Sequence, residues 1–135
     1  MILIINTAEV EILEIILAQS AKNFSVKKIS ASGQQSEKLL TALDGFLRTK
    51  KISPQKLTGL GVVSGPGGFT SIRVGVVVAN SLAWALKLPI AGVSKNDFKN
   101  NSELVSQVYQ KLKAGQNDKI VLPVYERELK IRKSG

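Results

Sequence analysis

The residues best placed for chemistry are Gly65-Pro66-Gly67-Gly68-Phe69-Thr70, between a short apolar run, Leu60-Gly61-Val62-Val63-Ser64, and a long helical pattern. A glycine loop opening onto a helix N-terminus gathers unpaired N–H groups and the positive end of the helix dipole, which together can hold an anion. Arg73, one turn into the helix, could neutralise that anion or pair with a carboxylate. The loop departs from the standard nucleotide-binding sequences. No Lys-Ser/Thr follows it, Thr70 stands where a dinucleotide fingerprint needs its third glycine, and Pro66 has no N–H to offer. On these grounds a tight structural turn fits better than a phosphate site.

The other chemical candidates are weaker. Ser36, Ser64 and Thr70 could be nominated as nucleophiles, but the sequence has no histidine, so each would need a lysine base. They read as caps and turn residues. Glu9, Glu11 and Glu14 cluster near the first turn, and a regular strand would send Glu11 and Glu14 to opposite faces. With neither His nor Cys, the usual nitrogen and sulfur ligands of zinc or non-haem iron are missing. The same absence removes the serine-triad, papain-like and metalloprotease readings. We assign no catalytic residue, metal or cofactor, although lysine- or carboxylate-based catalysis stays formally open.

The elements that must position these residues follow from periodicity. Ile2-Leu3-Ile4-Ile5-Asn6 is a continuous apolar run and predicts a strand buried on both faces. Residues 10–18, rich in β-branched types, pair with it as a hairpin around Asn6-Thr7-Ala8-Glu9, and 24–30 adds a more exposed third strand. Leu39, Leu40, Leu43, Phe46 and Leu47 line one side of a helix over 36–50, with Ser36 as N-cap and Lys50 and Lys51 at its negative end. Residues 60–64 form a buried strand. Residues 70–87 form a helix apolar on nearly every side, so it is either buried or covered by a partner. Then come a strand over 89–93, an amphipathic helix over 102–113 stopped by Gly115, and a final strand over 120–125. The order predicts one α/β domain: a mixed sheet with three antiparallel strands followed by strand–helix–strand units.

Bulk properties fit that reading. At 135 residues the chain can bury a core, and its 44% apolar content suits a soluble globular protein. No apolar run reaches membrane-spanning length, and Ile2-Leu3-Ile4-Ile5 makes a poor signal peptide. The expected setting is the cytoplasm, with no membrane partner. The formal charge of +9 is spread along the sequence, ten basic and five acidic residues over 1–94 and nine and five thereafter. Apart from the ending Lys130-Ile131-Arg132-Lys133 there is no dense basic arm, so a solubilising positive surface is the plain reading.

Gly65-Pro66-Gly67-Gly68-Phe69-Thr70-Ser71-Ile72-Arg73-Val74-Gly75 closely resembles the signature of the TsaB (YeaZ) family, usually Gly-Pro-Gly-Ser-Phe-Thr-Gly-Leu-Arg-Ile-Gly. Gly68 replaces a Ser and Ser71 a Gly. Ser81-Leu82-Ala83, Leu88-Pro89-Ile90, Gly92-Val93-Ser94, Ser36-Glu37-Lys38-Leu39-Leu40, Ile4-Ile5-Asn6-Thr7-Ala8 and Pro123-Val124-Tyr125-Glu126-Arg127 are similar to further family segments. The resemblance implies one ribonuclease-H-like (actin-like ATPase) lobe over 1–94. It also implies that 95–119, a short linker and helix, replaces most of a second lobe, and that 120–135 returns as a strand and tail.

The implied role is that of a non-catalytic scaffold or activator in making threonylcarbamoyladenosine in tRNA. It would bind the catalytic subunit TsaD, with the ATPase TsaE in the wider complex and tRNA engaged indirectly. Asn6 stands where active actin-like ATPases carry a metal-positioning Asp, and a neutral amide is the weaker ligand. Expected partner contacts are Arg73, Val77, Asn80 and Trp84, with Leu40 and Leu47 from the preceding helix; each position would also suit packing on the sheet. The same surface could form a homodimer when TsaD is absent. The alternative function is a small stand-alone nucleotide- or tRNA-binding module using the Gly65–Thr70 loop and the positive surface.

Overall fold

The continuous apolar runs become the centre of one sheet. The computed structural model describes residues 1–9, 11–30, 35–115 and 120–124. Its elements are β1 (Ile2–Asn6), β2 (Ile12–Ser20), β3 (Asn23–Ser30), α1 (Gln35–Thr49), β4 (Gly59–Gly65), α2 (Phe69–Leu86), β5 (Ile90–Ser94) and α3 (Asn101–Lys113), with short 3-10 turns at Pro54–Lys56 and Lys95–Asp97. The five strands run in the order β3-β2-β1-β4-β5. β1, β2 and β3 pair antiparallel, whereas β4 and β5 join parallel to β1.

The mixed sheet is therefore as expected, and the burial patterns explain its order. β1 and β4 are buried along almost their whole length and occupy the middle, because both their faces must be covered. β3, with exposed Lys27 and Lys28, stands at an edge where polar side chains can remain in water. Helices α1 and α2 cover one face and α3 the other. Leu39, Leu43 and Phe46 of α1, Ile72, Val76, Ala79 and Ala83 of α2, and Leu104, Val105 and Val108 of α3 join the core. Thus α3 is a full layer of the same unit. Asn100 caps it, its side chain accepting from the Glu103 N–H at 2.9 Å.

Several local expectations change. The second strand begins at Ile12, leaving Glu11 outside it. α1 starts at Gln35, which places Ser36 in the first turn instead of at the cap. Residues 120–124 form no strand. Pro123 lacks the N–H a ladder needs, and the Val121 N–H and C=O both bond to the Asn80 side chain, each at 2.9 Å. The Val124 N–H donates to the Ser64 carbonyl at 2.7 Å. The segment is thus pinned to α2 and to the end of β4, with Val121 packed over Gly92. Val10, Tyr125, Glu126, Arg127 and the basic ending 130–133 lie outside the described residues. No described helix is long and apolar enough to cross a membrane.

Candidate docking surface and signature loop

The signature loop is built against the β1–β2 turn. Asn6 closes that turn by accepting the Ala8 N–H on its Oδ1 at 3.0 Å, an Asx-type arrangement that sets the chain direction. The turn delivers Thr7, fully buried, beneath the first turns of α2, where its hydroxyl donates to the Ser71 carbonyl at 2.6 Å. Two signature glycines make room for this approach. A Cβ on Gly67 would lie 2.7 Å from the Ala8 carbonyl oxygen, and one on Gly75 would strike the Thr7 hydroxyl. Gly65 has φ of +125°, and a Cβ there would strike the Val124 carbonyl. The Gly-Pro-Gly run thus joins three pieces of chain: the hairpin turn, α2 and the 120–124 segment. The Gly65–Pro66 peptide bond is cis.

Phe69 and Thr70 open α2, with Gly68 as an N-cap that supplies no side-chain bond. Arg73, Val77 and Trp84 follow on an outward stripe, since residues seven apart lie almost directly above one another. Val77 is 56% exposed and Trp84 85%; on the neighbouring α1, Leu40 is 52% exposed. Arg73 is also exposed. Leu47 packs partly against the core. The Asn80 amide bonds both backbone groups of Val121, which uses one of its two N–H donors and one of its two acceptor lone pairs.

That pairing adds apolar residues that sequence reasoning missed. Ile120, Leu122 and Val124 are exposed beside α2 while Val121 between them is buried. The signal that could have found them is Pro123, which argues against reading 120–125 as a sheet strand.

The carboxylates do share a location. A cleft of about 260 Å³ at the carboxyl ends of β1 and β5 is lined by Asn6, Glu9, Glu14, Lys95 and Phe98, among others. Glu9 pairs with Lys95 at 3.3 Å and Glu14 with Lys28 at 3.5 Å. Each carboxylate therefore has its own lysine, an arrangement suited to surface ion pairing more than to acid–base work.

Sheet order, helix layers and signature turn define the class: one ribonuclease-H-like lobe of the actin-like type. YeaZ from Pseudomonas aeruginosa shares this fold, with a TM-score of 0.62 and 22% identity over 69% of this chain and 43% of that one. Residues 16–107 match the family described as "TsaD: tRNA N6-adenosine threonylcarbamoyltransferase", and the chain belongs to that family, within its TsaB/YeaZ branch. The TsaB protein of Bacillus subtilis (strain 168), described as a tRNA threonylcarbamoyladenosine biosynthesis protein, is 39% identical over 59 residues, which are 44% of this chain and 26% of that protein. A tRNA N6-adenosine threonylcarbamoyltransferase of Geobacter metallireducens is 38% identical over 64 residues, 47% of this chain and 19% of the transferase. The matched stretches span about a quarter or less of these curated relatives.

Proposed function

We propose that this chain is a non-catalytic docking subunit in the synthesis of threonylcarbamoyladenosine in tRNA, and that it binds the threonylcarbamoyltransferase, TsaD, through the outward faces of α1 and α2. The observation that carries this reading is Trp84, 85% exposed on the same stripe as Val77. Folding leaves this large aromatic in water, and a buried indole at the centre of an interface is among the strongest single anchors. Membership of a family that includes both TsaB proteins and transferases supports a pairing of related lobes, helix face to helix face. A docking role, not a catalytic one, is supported by Asn6, whose Oδ1 closes its own turn, and by the lysine-paired Glu9 and Glu14. TsaE joins the wider complex, the setting is the cytoplasm, and the same face mediates a homodimer when TsaD is absent.

Size-exclusion chromatography with light scattering, on the chain mixed with TsaD of the same organism, tests the proposal. A discrete heteromer that is lost with Trp84→Glu or Val77→Glu and weakened with Leu40→Glu is the expected result. A well-folded chain that forms no complex would sink the reading, as would a complex indifferent to all three substitutions.

A further inference from the structure

The fold leaves one end of the lobe with lysines and few carboxylates. α1, α2 and α3 all run toward the end of the sheet where β1, β4 and β5 begin. Lys50, Lys51, Lys56, Lys87 and Lys113 lie in the helix exits and loops at that end, and Lys22 joins them from the β2–β3 turn. All six are exposed, and none forms an ion pair among the described residues. Among those residues the nearest carboxylate to this end is Asp44, already held by Arg48 at 3.1 Å. Glu9, Glu11, Glu14, Glu37, Asp97 and Glu103 lie toward the opposite end, at the hairpin turn, at the start of β2, in the 3-10 turn after β5 and in the first turns of α1 and α3.

Complementing the helix dipoles does not account for this arrangement. Three helix C-termini contribute about half a negative charge each, roughly −1.5 together, against six lysines. A large positive excess remains at one end. Backbone geometry adds a second observation. Lys51 and Lys87, which follow α1 and α2, adopt left-handed φ of +57° and +56°. Glycine is the residue ordinarily favoured there, and a side chain in that region is unfavourable. At both exits a cation stands in its place.

We propose that this end of the lobe is a binding surface for the phosphate backbone of RNA. It is a contact made by the chain itself, on different residues from the α1/α2 docking face and needing no transferase. The membership in a tRNA-modification family favours RNA over an anionic membrane. The surface also lacks the several apolar residues that would seat it in a bilayer, Trp84 being the one large exposed apolar side chain near it among those described. Recognition through lysines and phosphates is independent of base sequence.

The test is fluorescence anisotropy of a labelled, unmodified tRNA transcript titrated with the full chain across a salt series. Binding should weaken with a log–log slope of roughly −3 to −5, about 0.7–0.9 per phosphate neutralised. Lys50→Gln/Lys51→Gln/Lys56→Gln/Lys87→Gln should weaken binding about tenfold or more at low salt and flatten the slope by about 3. The control Lys27→Gln/Lys28→Gln/Lys95→Gln/Lys99→Gln lowers the formal charge by the same amount, from +9 to +5 (9 − 4), and should stay within about twofold of the parent. Equal losses in both variants would overturn the proposal in favour of non-specific net charge, and absent tRNA binding would overturn it outright. Binding to phosphatidylglycerol vesicles with no binding to the transcript would assign the surface to lipid instead. Because the titration contains no TsaD, failure here and failure of the docking reading remain distinguishable.

Discussion

Two glycines sit in the interiors of helices α1 and α2, and alanine should have opposite effects at them. Gly45 of α1 has nothing within 4 Å of where its Cβ would stand. Gly45→Ala therefore gains helix propensity alone and should stabilise the fold by about 0.5–1 kcal/mol. Gly75 of α2 gains the same propensity but meets Thr7, whose Cγ2 and Cβ would lie 2.9 and 3.1 Å from the new Cβ and whose hydroxyl would be closer still. Thr7 is fully buried and bonded to Ser71, so it cannot swing away without leaving that bond. Overpacking costs about 1–3 kcal/mol, and losing the hydroxyl's partner adds about 1–3 kcal/mol. Less the propensity gain of about 1 kcal/mol, Gly75→Ala should destabilise by roughly 1–5 kcal/mol. Urea denaturation followed by circular dichroism measures both variants. Thr7→Ala removes most of the obstruction, so Gly75→Ala should cost about 1–2 kcal/mol less in that background. A Gly75→Ala protein as stable as Gly45→Ala, or a cycle without coupling, would refute the packing argument.

Asn80→Ala should release the 120–124 segment, since staying docked would leave the Val121 N–H and C=O unpaired at about 1–3 kcal/mol each; hydrogen exchange should then show lost protection at Val121 but not in β1. Burial raises the Tyr109 hydroxyl above its usual pKa of 10.0, so the neutral form is favoured in the folded state. That stabilisation is full below the unfolded value and fades as pH rises through the folded one. Tyr109→Phe, which also removes the 2.9 Å bond to the Ala18 carbonyl, should cost about 0.5–1.5 kcal/mol near neutrality and show a shallower loss of stability above pH ~10. Trp84 is the only tryptophan, so its emission should be that of water-exposed indole and should move to the blue when the docking partner binds. Trp84→Ala should change stability by less than about 0.5 kcal/mol, as surface substitutions do.

Much of the fold was legible because its signals are local. The apolar runs of β1 and β4, the shift to helical spacing after Ser36 and the glycine loop before α2 each reflect a periodicity that a short window reveals. The boundary errors at Ile12 and Gln35 arise where apolar and polar residues mix and no breaker marks the end. Residues 120–124 failed for a different reason. Val121 looks like a strand residue, but its backbone groups are claimed by an asparagine 41 positions earlier, which no local pattern records.

The sequence alone determined the buried runs of β1 and β4, the more exposed third strand and the presence of a tight Gly-Pro-Gly turn, since each depends on neighbours in the chain. The tertiary structure decided what those glycines admit: Thr7 and Ala8 from the hairpin, Val124 from the far end. It bonded the Asn80 amide to Val121 and left Val77 and Trp84 exposed. It also brought six lysines from separate loops to one end of the lobe, where few described carboxylates lie. Burial and charge density depend on distances in space, and only the path of the chain sets which distant residues become neighbours.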